Sequence, residues 1–246
     1  MHTQFKLDKP PKRILLKLSG EFIKGESQRI HDPKIFSYLI TEMQALRNLG
    51  IEIGIVIGGG NIYRGAQELG MPIPRVDGDT MGLLATYINA LALKFSFEQS
   101  GLKTKAFASK NLFGIIEEFD RIEAIRCLQE GYIVIFGGGT GNPFFTTDTA
   151  GALKALEINA DLFLKATKVD GVYSDDPDSV KDAIHYPELT YDEVIDKKLK
   201  VMDLTAITLC RENNLPLVVF AMGPGQIQKL LKNEVKCSWV FSQKIK

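Results

Sequence analysis

The chain has 246 residues, enough for one large domain or two small ones at about 150 residues each. Hydrophobic residues make up 45% and charged residues 24%, an ordinary globular mixture that needs no disulfide or metal in order to fold. Thirty Lys+Arg against thirty Asp+Glu give a formal net charge of 0, which argues against a general nucleic-acid coat. Cys127, Cys210 and Cys237 are widely spaced and form no CxxC, so they read as reduced thiols rather than a disulfide or zinc framework. No apolar run approaches the ~18 residues of a membrane span. The opening stretch MHTQFKLDKPPKR lacks the apolar core of a secretion signal. The expectation is a cytoplasmic enzyme with no membrane and no nucleic-acid partner.

Residues 1–12 read as a flexible N-terminal arm and 13–246 as a single domain. The periodicity then predicts strand Arg13–Leu18, helix Pro33–Leu49, strand Ile51–Ile57, helix Asp79–Gln99 and strand Thr104–Ala108. Helix Arg121–Glu130, strand Tyr132–Phe136, helix Asp148–Ile158 and strand Leu162–Lys165 follow. Helices Tyr191–Lys197 and Asp203–Asn213, strand Leu217–Phe220 and helix Gln226–Leu231 complete the pattern. Nearly continuous apolar strands alternating with helices predict a mainly parallel sheet covered on both faces, an α/β/α sandwich. The helix 79–99 is apolar almost all round, so its second face must be covered by the core or by another subunit.

Two strands end in glycine runs, Gly58-Gly59-Gly60-Asn61 and Gly137-Gly138-Gly139-Thr140-Gly141-Asn142. Ligands bind beyond the carboxyl ends of strands in such sheets. Glycine there lets backbone N–H groups approach an anion closely, beside a helix N-terminus. Two such loops suggest a long phosphate-rich ligand or two ligands face to face. The GxxxxGK[ST] and GxGxxG motifs are both absent, so the phosphate chemistry uses another scaffold.

Lys17, at the end of the first strand beside Leu18-Ser19-Gly20, is costly there unless its ammonium has a partner, which a phosphate entering a cleft would supply. Arg64 after the first glycine loop suits an oxyanion. Asp79 is either a helix N-cap or a ribose acceptor. The segment Thr140-Gly141-Asn142-Pro143-Phe144-Phe145-Thr146-Thr147-Asp148 places more polar groups at a helix start than capping requires. Thr167, Tyr173 and Asp176 suit an adenine and its ribose, and Asp203 is a cap or a magnesium contact. The three histidines stand away from these loops in sequence, which argues against Ser-His hydrolysis and zinc chemistry. Phosphoryl transfer to an already anionic oxygen needs no general base, only positioning, cations and Mg²⁺.

Together the stretches KRILLKLSGE, GIVIGGGNIYRGA, RVDGDTMGLLAT, GTGNPFFTTD, LKATKVDGVY and KVMDLTA resemble the bacterial uridylate (UMP) kinases of the amino-acid-kinase superfamily. The resemblance implies a three-layer α/β/α sandwich that transfers the γ-phosphate of MgATP to UMP in pyrimidine nucleotide biosynthesis. It implies a homohexamer built from dimers through helix 79–99. The N-terminal part would hold mainly the UMP site and the C-terminal part mainly the ATP site. It assigns ATP to Lys17, Leu18, Ser19, Gly20, Gly60, Arg64, Thr167, Tyr173 and Asp176. UMP falls to Gly59, Asp79, Thr140, Gly141, Asn142, Pro143, Phe144, Phe145, Thr146 and Thr147. Lys17, Asp148 and Asp203 would be catalytic, with Asp148 and Asp203 also organising Mg²⁺, directly or indirectly, and the lysines; Lys165 and Lys168 both remain candidates to assist. UTP is expected as an inhibitor in the UMP pocket. The alternatives are a kinase of the same fold acting on an amino acid or carbamate, and a non-catalytic nucleotide sensor.

Overall fold

The structure is a computed structural model that describes residues 10–63, 73–112 and 114–243. Strands β1 (Arg13–Leu18) and β3 (Thr104–Ala108) take the predicted bounds, and β2 (Glu52–Ile57), β5 (Ile133–Gly137), β6 (Leu162–Thr167) and β10 (Leu217–Ala221) shift by one or two residues. Helices α2 (Pro33–Asn48), α4 (Arg121–Gln129), α5 (Thr147–Glu157), α6 (Tyr191–Asp196), α7 (Leu204–Glu212) and α8 (Gln226–Leu231) also fall where expected. Asp32, Asp120, Thr146, Thr190 and Asp203 cap α2, α4, α5, α6 and α7 by accepting backbone N–H groups of the first turn.

Helix α3 departs from expectation. It spans Arg75–Gln99, starting after Pro74 rather than at Asp79. The fixed φ of proline suits a helix entrance, so the chain turns helical one turn earlier. Asp79 therefore lies inside the helix and is not its N-cap. The pieces not anticipated are the five-residue α1 (Gly20–Lys24) and β11 (Cys237–Phe241) and the shorter β4 (Glu117–Glu118), β7 (Val172–Tyr173), β8 (His185–Tyr186) and β9 (Glu188–Thr190). Strands of two or three residues are too short to show a period.

Among the described residues one sheet of nine strands runs β4-β3-β5-β2-β1-β6-β10-β11-β9, parallel except where β11 meets β10. The chain leaves β1 toward β2 on one side and returns to β6 on the other, so a crevice opens beyond the carboxyl end of β1. β7 and β8 form a separate antiparallel hairpin. One apolar core lies between the sheet and α2, α3 and α8. The other lies between the sheet and α4 to α7. Ala85, Ala90, Leu93 and Phe97 of α3 are buried, whereas Met81, Leu84, Ile88 and Phe95 form an exposed apolar stripe. Among the described residues no helix is long and apolar enough to cross a membrane.

Candidate active site

Strand alternation builds the centre of the site. β1 sends Ile14, Leu16 and Leu18 into one core and Leu15 into the other, which puts Lys17 on the face of α5. β6 repeats the pattern: Leu162, Leu164 and Ala166 face one way and Phe163 the other, so Lys165 shares the face of Lys17. The parallel register sets Lys17 directly opposite Lys165. Two ammonium groups side by side and out of water repel each other. Asp148, in the first turn of α5, answers both: its Oδ1 lies 2.9 Å from Lys17 Nζ and its Oδ2 2.6 Å from Lys165 Nζ. The three side chains are only 12–14% exposed.

Burial pushes the Asp148 carboxyl up, but the charges of Lys165 and Lys17 outweigh it and hold the group below the usual carboxylate value. Lys165 is pulled down, first by burial and then by Lys17, against the opposing pull of Asp148. Its Nζ also donates to the Val201 carbonyl at 2.5 Å. Lys168, the other candidate in sequence, is exposed.

Asp203 acts as both a cap and a brace. Its carboxylate accepts from Ala206 N at 3.0 Å at the start of α7, from Thr149 Oγ1 at 2.7 Å and from the Thr146 hydroxyl. Thr146 in turn caps α5, so α7 fixes the helix end that presents Asp148. These contacts bear on Mg²⁺. Asp148 is faced by two cations and Asp203 by three donors, and among the described residues no group of three His, Cys, Asp or Glu is arranged to hold a metal. In this arrangement both carboxylates are engaged by the protein's own cations and donors.

The two glycine loops meet at the crevice. Leu18 is fully buried, so only its backbone reaches this region, and its carbonyl accepts Gly58 N–H at 2.9 Å. Ser19 caps α1 through Phe22 N at 3.1 Å. A Cβ on Gly20 would stand 2.7 Å from Gly60 N, and one on Gly59 would stand 2.8 Å from Ala85 Cβ, so neither position has room for a side chain. Beneath the first loop lies a residue the sequence did not mark. Asn89, fully buried, donates to the Gly58 carbonyl and to Asn61 Oδ1, both at 2.7 Å. His31 Nε2 lies 2.8 Å from Asn89 Oδ1, so folding brings a histidine that is distant in sequence to the back of the first glycine loop. Arg64 lies outside the described residues.

A cavity of ≈ 280 Å³ is lined by Gly59, Gly60, Asp79, Gly139, Asn142, Phe145, Thr146 and Thr147, among others. Gly60, grouped by sequence with the ATP residues, thus lies on the wall of this smaller cavity. Thr140, Gly141, Pro143 and Phe144 do not line it; Gly141 and Phe144 adopt φ of +79° and +72°, and the Thr140 hydroxyl accepts from Asn142 N at 3.2 Å. Asp79 Oδ2 accepts Phe144 N–H at 2.7 Å, and the Arg75 guanidinium lies 5.2 Å from the centre of the Phe144 ring.

A second cavity, of ≈ 700 Å³, is lined by Lys165, Thr167, Tyr173 and Asp176, as well as by Lys198 and Lys200, which the sequence did not single out. Lys17, Ser19 and Gly20 do not line it, nor the smaller cavity. Thr167 donates to the Val169 carbonyl at 2.5 Å. Asp176 accepts from Asp178 N at 3.0 Å and Ser179 Oγ at 2.9 Å, within its own turn. His185 packs on Tyr173 with ring centres 5.0 Å apart, so a second histidine stands by a cavity. Lys165 lines the larger cavity and is bonded to Asp148, which directly follows Thr147 on the wall of the smaller one. The lysine–aspartate–lysine group therefore reaches the larger cavity through Lys165 and adjoins, in sequence, Thr147 of the smaller one.

The model of the Amino acid kinase family matches residues 12–221. Uridylate kinase from Marinobacter nauticus is 50% identical over 235 residues, covering 95% of this chain and 97% of the relative. Uridylate kinase from Alcanivorax borkumensis is 51% identical over 211 residues, covering 86% and 84%. The crystal structure of UMP kinase from Bacillus anthracis superposes with a TM-score of 0.90 at 37% identity, covering 96% of this chain and 98% of that one. UMP kinase from Ureaplasma parvum gives 0.87 at 34% identity, covering 96% and 100%. Sequence and fold agree over nearly the whole length, and the chain belongs to the amino acid kinase family, among the uridylate kinases.

Proposed function

We propose that this chain transfers the γ-phosphoryl group of ATP to UMP, giving ADP and UDP. The observation that carries the reading is the buried Lys17–Asp148–Lys165 group, whose Lys165 lines the larger of two cavities and whose Asp148 follows Thr147 of the smaller. The smaller cavity takes UMP, with Gly59, Asp79, Asn142, Phe145, Thr146 and Thr147 at the nucleotide and Thr140, Gly141, Pro143 and Phe144 shaping the turn. The larger takes adenosine at Thr167, Tyr173 and Asp176, with the ATP phosphates reaching toward Lys17, Ser19, Gly20 and Gly60. Arg64 stays a proposed phosphate ligand from sequence alone.

A UMP phosphate oxygen attacks the γ-phosphorus; the new P–O bond forms as the bond to the β-phosphate oxygen breaks, and ADP leaves with the electron pair. The attacking oxygen is already anionic, so no general base is required. Lys17 and Lys165 supply fixed positive charge where it develops on the transferring group. Asp148 holds the two ammonium groups in place, and Asp203 holds the helix that carries Asp148. Mg²⁺ enters with the nucleotide as MgATP. The exposed stripe of Met81, Leu84, Ile88 and Phe95 is a self-association surface, in keeping with a homohexamer built from dimers. UTP inhibits by filling the UMP cavity. The enzyme works in the cytoplasm, where its three buried cysteines stay reduced.

A coupled ADP-release assay with MgATP and UMP, CMP, dUMP or no acceptor tests the reading. ADP release with UMP that stops in EDTA supports it. Absence of turnover with UMP, while ATP still binds, refutes it.

A further inference from the structure

Tyr173 lines the larger cavity, yet it stands outside the nine-stranded sheet. Among the described residues its strand pairs with β8 alone, through Val172↔Tyr186 and Tyr173↔His185. A hairpin of two residue pairs does not hold an aromatic ring in one place by itself. The fixing contacts come from the far end of the chain. Lys236, just before β11, donates from Nζ to Tyr173 Oη at 2.7 Å and pairs with Asp170 Oδ2 at 3.0 Å. The Tyr173 hydroxyl donates in turn to Asp170. Lys236 Nζ also lies 5.1 Å from the centre of the Tyr173 ring. On the same strand the buried Ser238 hydroxyl accepts from Val172 N at 2.7 Å and donates to the Tyr186 carbonyl at 2.6 Å, tying both hairpin strands to β11.

We propose that Lys236 is a positioning residue for the ATP site: with Asp170 it clamps the Tyr173 hydroxyl and so holds the ring across the wall of the adenosine cavity. Resting on the functional reading above, the inference names a lysine that lines neither cavity. The Lys236 side chain is 52% exposed, and an exposed ion pair adds little to folding. Freeing the Tyr173 ring does have a consequence for binding, because a loosened side chain must be ordered again each time the nucleotide enters.

The test is Lys236→Met with Lys236→Arg beside it. Steady-state kinetics would be run with ATP varied at saturating UMP and the reverse, and MgATP binding would be followed by calorimetry. Lys236→Met should raise KM for ATP and the calorimetric Kd about 3- to 10-fold, with kcat and KM for UMP within about 2-fold. Lys236→Arg, which keeps a cation at that place, should recover most of the affinity. Tyr173→Phe should weaken ATP to a similar degree, and Lys236→Met added to it should weaken ATP no further. An unchanged KM and Kd for ATP in Lys236→Met overturns the inference, as does a fall in kcat together with a rise in both KM values. The binding arm keeps the two questions apart: a wild-type chain that binds MgATP but does not turn over UMP refutes the functional reading, while the clamp still stands or falls on Kd.

Discussion

Replacing Asp148 by Asn keeps the shape of the side chain and removes one negative charge from between two buried ammonium groups. At 2.9 Å and 2.6 Å, with an effective dielectric of about 20, each ion contact amounts to about 6 kcal/mol before desolvation. The cost of burying the charges offsets most of that, and removing one partner of a buried ion pair costs about 3–5 kcal/mol net. For a chain of this length that corresponds to a Tm lower by about 6–20 °C. The pH dependence fixes the cause. In the wild type the Asp148 contribution is present above the ordinary carboxylate pKa and is lost as pH falls through the depressed folded value. In the variant, Lys165 loses the anion that opposed its downward shift. Its charge then opposes folding in full below its folded pKa, and that penalty fades as pH rises through it. Thermal unfolding by circular dichroism at fixed protein concentration, at pH 7 and pH 9, should show a large deficit that shrinks at the higher pH. A Tm within about 2 °C of wild type at pH 7, or a deficit equal at both pH values, refutes the electrostatic account.

Lys17→Ala, read in the coupled assay, should lower kcat at least about 100-fold, because one fixed cation at the transferring group is lost; turnover within a few-fold of wild type would remove Lys17 from the central role. Gly59→Ala should destabilise the chain by about 1–3 kcal/mol and raise KM for UMP, since the new Cβ would meet Ala85 Cβ at 2.8 Å and the Gly82 carbonyl at 2.9 Å; chemical denaturation together with UMP titration reads both effects. Lys154 has an 8% exposed side chain, pairs with Glu157 at 2.7 Å and lies 3.5 Å from the centre of the Phe119 ring. Burial, only partly offset by Glu157, depresses its pKa, so Lys154→Met should leave stability unchanged or raise it by about 1 kcal/mol at pH 7. That advantage should narrow as pH rises toward the ordinary lysine value, because the wild-type penalty is full below the depressed pKa and vanishes above the unfolded one; urea denaturation across pH checks it.

The backbone plan was legible because its signals are local. Apolar strands, capped helices and glycine runs at strand ends carry their meaning within a few residues, and β1 and β3 fall where the pattern puts them. Lys17 was also legible, as a lysine that an apolar strand tolerates only with a partner. The identity of that partner was not. Lys165 and Lys168 are equivalent in sequence, and only the β1–β6 register, which sets Lys17 against Lys165, separates them. Asp203 reads as a helix cap from its neighbours, whereas its bonds to Thr146 and Thr149 span more than fifty residues and arise from packing α5 on α7. The same holds for Asn89 under the first glycine loop, for His31 behind that Asn89, for His185 against Tyr173 of the larger cavity, and for Lys236 at Tyr173. Asp79 shows the converse: Pro74 moved the helix start, and a residue that looked like a cap became an acceptor for a loop 65 residues away. The sequence by itself determined most of the elements, the glycine loops at the strand ends and the family. Tertiary structure decided which charges meet, because a side chain's face is set by strand alternation and its neighbour by register, and neither is written in any single segment.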